Sequence, residues 1–435
     1  MIKKVALIRW LTGACALAVA AVSTLRAATP ADTLEFALVM SRHGIRSSLY
    51  KPEVMATYAS RPWPAWEVAP GLLTPQGGDL VAQMGSYYRQ LYISEGLLTG
   101  QPAQDLSHLY IKADNDQRTI ETGRRLGRAI LDGITPAVSA LPEKEIDPLF
   151  QPLRVHKFVA DYQLGAASVL GRMGGDPTVI ERAYARQLGD LRRVLYGEHG
   201  EPANSPFREP AEVVPGEWDN LVKIDGPLHA ALVATESILL EYVDGKPTAD
   251  VGWGEVDSTL LTELLELHEL SFDLNARTFY PAQVQGSNLA AHILATIDQA
   301  ANARTTPGSL GKVGDKLVII AGHDTNLANL GGLLAMNWWI PGSQLDPVLP
   351  ASALVFELWR HGDDGKLYVR ITYVSQTLEQ MRHKDVLTLA HPPARSPIFL
   401  PDRSGPGPHF DIPLASFDEA VNHAVNLAFV IPGTP

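Results

Sequence analysis

Phe36-Ala37-Leu38-Val39-Met40-Ser41-Arg42-His43-Gly44-Ile45-Arg46 begins with five apolar residues and ends with a histidine between two arginines. The apolar run reads as a buried strand. Ligands of open α/β sheets collect beyond the carboxyl ends of the strands, so segment 42–46 stands where a site belongs. Arg42 and Arg46 offer planar guanidinium forks that suit phosphate oxygens. Gly44 permits a close backbone approach, and His43, as a neutral imidazole, is placed to attack phosphorus. A lone histidine after a strand is more often a hydrogen-bonded structural residue. The flanking arginines favour chemistry here.

Further along, Leu317-Val318-Ile319-Ile320-Ala321 is a second apolar strand, and Gly322-His323-Asp324-Thr325-Asn326 follows it in the same position. Asp324 is suited to protonate a leaving-group oxygen, and His323 to donate to a phosphoryl oxygen. Two plainer readings compete. Asp324 or Asn326 would cap the helix that begins nearby, or His323 and Asp324 would bind a metal. No HExxH or other spaced ligand set accompanies them. A third short strand, Leu109-Tyr110-Ile111, leads through Asp114-Asn115-Asp116 to Arg118, which can add another fork for a dianion near a helix N-terminus. Alone, Arg118 would be a solvated first-turn arginine.

Around these three junctions the chain divides. Thr74-Pro75 supplies a cap and a first-turn proline for a helix through Leu91. From about 155 to 303 the pattern is almost wholly helical, with helices expected at 161–170, 178–196, 228–243, 257–271 and 287–303. Residues 355–359 and 367–374 alternate across Asp363-Asp364-Gly365-Lys366, an antiparallel hairpin. The expected fold is α/β, a central mixed sheet flanked by helices, with a mostly helical insertion domain. The catalytic domain would span 28–150 and 305–435, and the insertion 151–304.

Composition sets the outer limits. The chain has 435 residues, 46% apolar and 19% charged, which excludes a disordered polymer. Its 36 Lys+Arg against 48 Asp+Glu give a net charge of −12, unfavourable for nucleic acid or anionic lipid. Cys15 is the sole cysteine, so no intrachain disulfide or CxxC site can form. Lys3, Lys4 and Arg9 precede an apolar stretch ending near Leu25, followed by Ala27 and Ala28. That is the layout of a signal peptide over 1–27, too short for a spanning helix. The expected product is periplasmic or secreted, with no membrane attachment after cleavage.

Taken together, 42–46, Leu73-Thr74-Pro75-Gln76-Gly77-Gly78, Gly252-Trp253-Gly254, 322–332 and Gln376-Thr377-Leu378-Glu379-Gln380-Met381-Arg382 give a sequence that resembles the histidine acid phosphatases. The nearest group is the bacterial periplasmic phytases and glucose-1-phosphatases. The resemblance implies that His43 is phosphorylated, that Asp324 is the proton donor, and that Arg42, Arg46, Arg118 and His323 hold the phosphoryl group. It implies no metal, no other cofactor, a small phosphomonoester as the binding partner, and an acid optimum. Relatives of this group commonly carry disulfides, which this chain cannot form. Ser47-Ser48-Leu49-Tyr50 replaces the polar, basic stretch typical of phytases and looks more like the glucose-1-phosphatases, whereas 323–326 looks phytase-like. Gln283 and Gln285 stand where phytase-like members place basic residues. Two rivals are a phosphoryl mutase, which the leader argues against, and an inactive phosphate- or sugar-phosphate-binding protein, which the His43/Asp324 pair argues against.

Overall fold

The structure, a computed structural model, describes residues 31–433, so the expected leader at 1–27 lies outside the described residues. The strands are β1 (Thr33–Arg42), β2 (Leu109–Ala113), β3 (Glu212–Pro215), β4 (Val222–Asp225), β5 (Leu317–Gly322), β6 (Ala353–Arg360), β7 (Leu367–Ser375), β8 (Ala394–Pro397) and β9 (Ile412–Pro413). The main sheet runs β2-β5-β1-β6-β7-β8, with β9 also on β7. β2, β5 and β1 are mutually parallel, whereas β6, β7 and β8 continue antiparallel, so the sheet is mixed.

β1 is buried on both faces, which is why it reads as a continuous apolar run. Ala37 and Val39 enter one core with Val81, Met84, Leu126 and Ile130. Phe36, Leu38 and Met40 enter the other with Leu239, Leu264, Ile293 and Leu327. The longer helices are α1 (Pro75–Ser94), α2 (Gln117–Ile130), α3 (Tyr162–Arg172), α4 (Ala185–Tyr196), α5 (Pro227–Val243), α6 (Ser258–Asn275), α7 (Phe279–Asn302), α8 (Asp324–Leu333) and α9 (Leu414–Ala424). Thr74 Oγ1 accepts from the Gly77 amide at 2.9 Å and Pro75 fills the first turn, which fixes where α1 starts. α1 and α2 cover the first face; α5 to α9 cover the second. No helix among the described residues is long and apolar enough to cross a membrane.

The segment 151–304 is not wholly helical. β3 and β4 form an antiparallel hairpin, closed by the Gly216 amide on the Leu221 carbonyl at 3.1 Å. Val213, Val214, Val222 and Ile224 are strand formers, but too few to interrupt the surrounding helical pattern. α7 begins at Phe279 rather than 287, because Gly286 lies inside the helix and against Asn329 instead of ending it. α8 begins at Asp324 with His323 as its N-cap, so neither Asp324 nor Asn326 is the cap residue. Its far end lies directly on Arg277: a Cβ on Gly332 would stand 2.5 Å from Arg277 Cα. Arg277 is in turn fixed by Asp346 at 2.8 Å and the Met336 carbonyl at 2.6 Å.

Candidate active site

Parallel register brings the three polar junctions to one edge. Arg42 and Gly322, the last residues of β1 and β5, are register partners, as are Ala113 of β2 and Ala321 of β5. His43, His323 and Asp114 therefore leave adjacent strand ends together. The His43 amide donates to the Gly322 carbonyl at 2.9 Å, and the His43 and His323 rings meet edge to face with centroids 5.6 Å apart. Asp324 Oδ2 is 3.0 Å from Arg42 Nη2. Arg118, in the first turn of α2, is 2.7 Å from Asp116, whose carboxylate is 3.6 Å from His323 Nε2. Arg42, His43, Arg118, His323 and Asp324 thus converge on one place, and Arg46 joins them through a carboxylate it shares with Arg42, that of Glu236.

His43 is held as a nucleophile would need to be. Its Nδ1 is 2.7 Å from the Gly44 carbonyl, which can only accept, so Nδ1 carries the proton and Nε2 keeps its lone pair. Burial, reinforced by Arg118, Arg42, His323 and Arg46, pushes the imidazole well below its usual pKa. Gly44 is needed for a neighbour rather than for a ligand. A Cβ there would stand 2.7 Å from Val81 and 2.9 Å from the Gly77 carbonyl, so α1 packs on the 42–46 segment itself.

His323 Nε2 is 2.7 Å from Asp114 Oδ2, which also accepts from Gln151 at 2.6 Å. Burial would raise Asp114, but His323, Gln151 and the Asn115 amide hold it below the usual carboxylate range. Asp114, Asp116 and His323 lie close enough to share a cation. Arg118 already supplies a fixed positive charge to Asp116, so an arginine–carboxylate pair accounts for the cluster.

Sequence reasoning missed Glu236 and His268. Glu236 on α5 places Oε1 2.7 Å from Arg42 Nη2 and 2.9 Å from Arg46 Nη2. Its Oε2 is 2.8 Å from His268 Nε2, and His268 Nδ1 is 3.0 Å from Glu269 Oε1. The available signal was weak: Glu236 lies within Ala234-Thr235-Glu236-Ser237-Ile238-Leu239, in a helix that also carries His229 and Glu241. Such a charge is rarely buried without partners.

A cavity of about 820 Å³ opens beside Arg46, Glu236 and Asp324. Leu49, Tyr50, Leu232 and Phe272 form its apolar wall. The β3–β4 hairpin contributes Glu217, Asp219 and Asp225 against Lys223, whose Nζ is already 2.5 Å from Asp225. Burial lowers the pKa of His229, so it adds no charge near neutrality. Gln285 faces this cavity, whereas Gln283 donates to the Ala424 carbonyl. Trp253 packs on Trp63, with centroids 4.8 Å apart, and donates to the Pro62 carbonyl, so it is a packing residue. His361 stacks on Tyr368 and lies 3.2 Å from Asp411.

Comparison with known proteins agrees with this geometry. A family profile described as histidine phosphatase superfamily (branch 2) matches residues 33–374. Phytase AppA of Escherichia coli is 32% identical over 415 residues, covering 91% of this chain and 93% of the relative. Glucose-1-phosphatase of Providencia rettgeri is 25% identical over 374 residues, covering 85% and 87%. The solved Hafnia alvei phytase superposes with a TM-score of 0.83 at 31% identity, covering 92% of this chain and 99% of that one.

Proposed function

The chain belongs to the histidine phosphatase superfamily, branch 2, and is a phosphoric monoester hydrolase; we propose that it acts in two steps through a phosphohistidine on His43. The His43 Nε2 lone pair forms a bond to phosphorus as the ester P–O bond breaks. Protonated Asp324 gives its proton to the departing alcohol. Arg42, Arg46, Arg118 and His323 hold the phosphoryl oxygens and meet their charge, so the cycle requires no metal or other cofactor. Water then attacks phosphorus, Asp324 takes a water proton, the P–N bond breaks, and inorganic phosphate departs.

The observation that carries this reading is the Nδ1 contact to Gly44, with the lowered basicity that leaves His43 neutral among arginines. Export through a leader at 1–27 to the periplasm or the outside, with 151–304 as a helical cover over the 28–150/305–435 catalytic unit, belongs to the same proposal. Sugar phosphates and phytate are the substrates in view. The apolar and acidic lining of the cavity favours small monoesters.

Rapid quench with a ³²P-labelled aryl ester, worked up in alkali because phosphohistidine is acid-labile, should place the label on the His43 peptide. Label on another residue, or label retained by His43→Ala, would overturn the assignment.

A further inference from the structure

Glu236 occupies a position that the proposed cycle gives to something else. Its Oε1 reaches one Nη2 of Arg42 and one of Arg46 at once, as a single phosphoryl oxygen would. Asp324 shares the same Arg42 nitrogen at 3.0 Å. We infer that Glu236 is a built-in competitor for the phosphate seat: it holds the two arginines between turnovers and helps displace inorganic phosphate at the end of each one. The inference rests on the assignment of Arg42 and Arg46 to the phosphoryl group.

The surroundings suit that role. Glu236 is 13% exposed and lines the cavity, so its carboxylate can meet an entering anion. Its other oxygen is tied from behind by His268, which Glu269 holds on the far side. Burial opposes charge on His268, yet Glu269 and Glu236 push it up to about 10, so it remains cationic. Burial would likewise raise Glu236, but Arg42, Arg46 and His268 hold it well below the usual range. The charges of His268 and Glu269 offset each other and leave the Glu236 carboxylate uncompensated from behind. A phosphate dianion arriving on Arg42 and Arg46 then meets a carboxylate already within 2.9 Å of both, and like charges at that range repel. Substrate and product dianions are weakened alike, which raises KM and speeds release.

A brace that only orients the guanidinium groups would act in the opposite sense, because its loss would loosen them and weaken phosphate binding. The test is competitive inhibition of p-nitrophenyl phosphate hydrolysis by inorganic phosphate. Glu236→Gln should lower the phosphate Ki by about tenfold or more, with KM falling in step. A Ki that is unchanged or raised would overturn the inference. Should the amide not fold, Glu236→Ala carries the same test, since it removes the carboxylate from the seat altogether. Its Ki should also fall, and an unchanged or raised value is equally fatal. Phosphate inhibition of the unmodified protein that does not weaken in Arg46→Ala would remove the seat assignment and the inference with it. Inhibition that depends on Arg46 yet is not strengthened by either Glu236 variant removes the inference alone.

Discussion

Asp324 Oδ2 lies 3.0 Å from Arg42 Nη2, while Asp324 Oδ1 accepts from the Thr325 amide at 2.7 Å. The proposed proton donor is therefore aimed by the same arginine that meets the phosphoryl charge. Asp324→Asn keeps the shape but cannot deliver a proton of comparable acidity. kcat/KM for alkyl and sugar phosphates should drop by ~10²–10⁴-fold, and clearly less for p-nitrophenyl phosphate, whose leaving group hardly needs a proton. Equal losses in the phosphorylation step would mean that Asp324 only orients the site.

Exhaustive chelation should leave activity intact. The nucleophile is a side chain, and Arg118 already neutralises Asp116 beside His323. Activity lost in EDTA and restored by a divalent ion would reassign Asp114, Asp116 and His323 as metal ligands.

Polyphosphorylated substrates should gain little here. The hairpin lines the cavity with three carboxylates and one lysine, and that lysine is already paired. kcat/KM for phytate should stay within about a hundredfold of that for glucose 1-phosphate, a ceiling of about 2.7 kcal/mol of discrimination. A larger phytate preference, measured on the same preparation, contradicts the reading of the cavity.

Stability should decline from acid to alkaline pH. Burial pushes Glu241 up to about 8 from an ordinary 4.5. A group whose folded pKa is raised stabilises fully below its unfolded value and loses that contribution as pH climbs through the folded one. For Glu241 the window runs from about 4.5 to about 8; for His268, pushed up to about 10 from 6.5, it lies higher. Calorimetric Tm should fall between pH 5 and pH 8, and Glu241→Gln, which keeps an acceptor for the Gly252 amide, should flatten that fall. A variant with the same slope would show that Glu241 does not titrate there.

What the sequence disclosed follows from how locally each signal is encoded. Arg42, His43, His323 and Asp324 sit immediately beyond apolar strands, so strand-end position and chemistry occur within a few residues of each other. Their convergence needed only parallel neighbours, which an α/β pattern supplies. Glu236 and His268 carry no such local context. They reach the arginines by long-range packing of α5 and α6, and an acidic or basic residue in a helix ordinarily reads as solvated surface. The β3–β4 hairpin was hidden for a related reason, since four-residue strands between helices are too short to register a period of two.

Gly332 and Asp324 lie near opposite ends of one short rod, about 12 Å apart at ~1.5 Å per helical residue. The glycine end bears on the Arg277 backbone with no room for a methyl group, and Arg277 is itself anchored. A helix seated that tightly at one end transmits tilt to the other. Gly332→Ala would act as a shim, changing the angle at which the carboxyl of Asp324 meets a leaving group without altering any residue of the cavity. On the proposed role of Asp324, leaving-group preference should therefore respond to Gly332→Ala at the back of α8, a position that no screen confined to substrate-facing residues would sample.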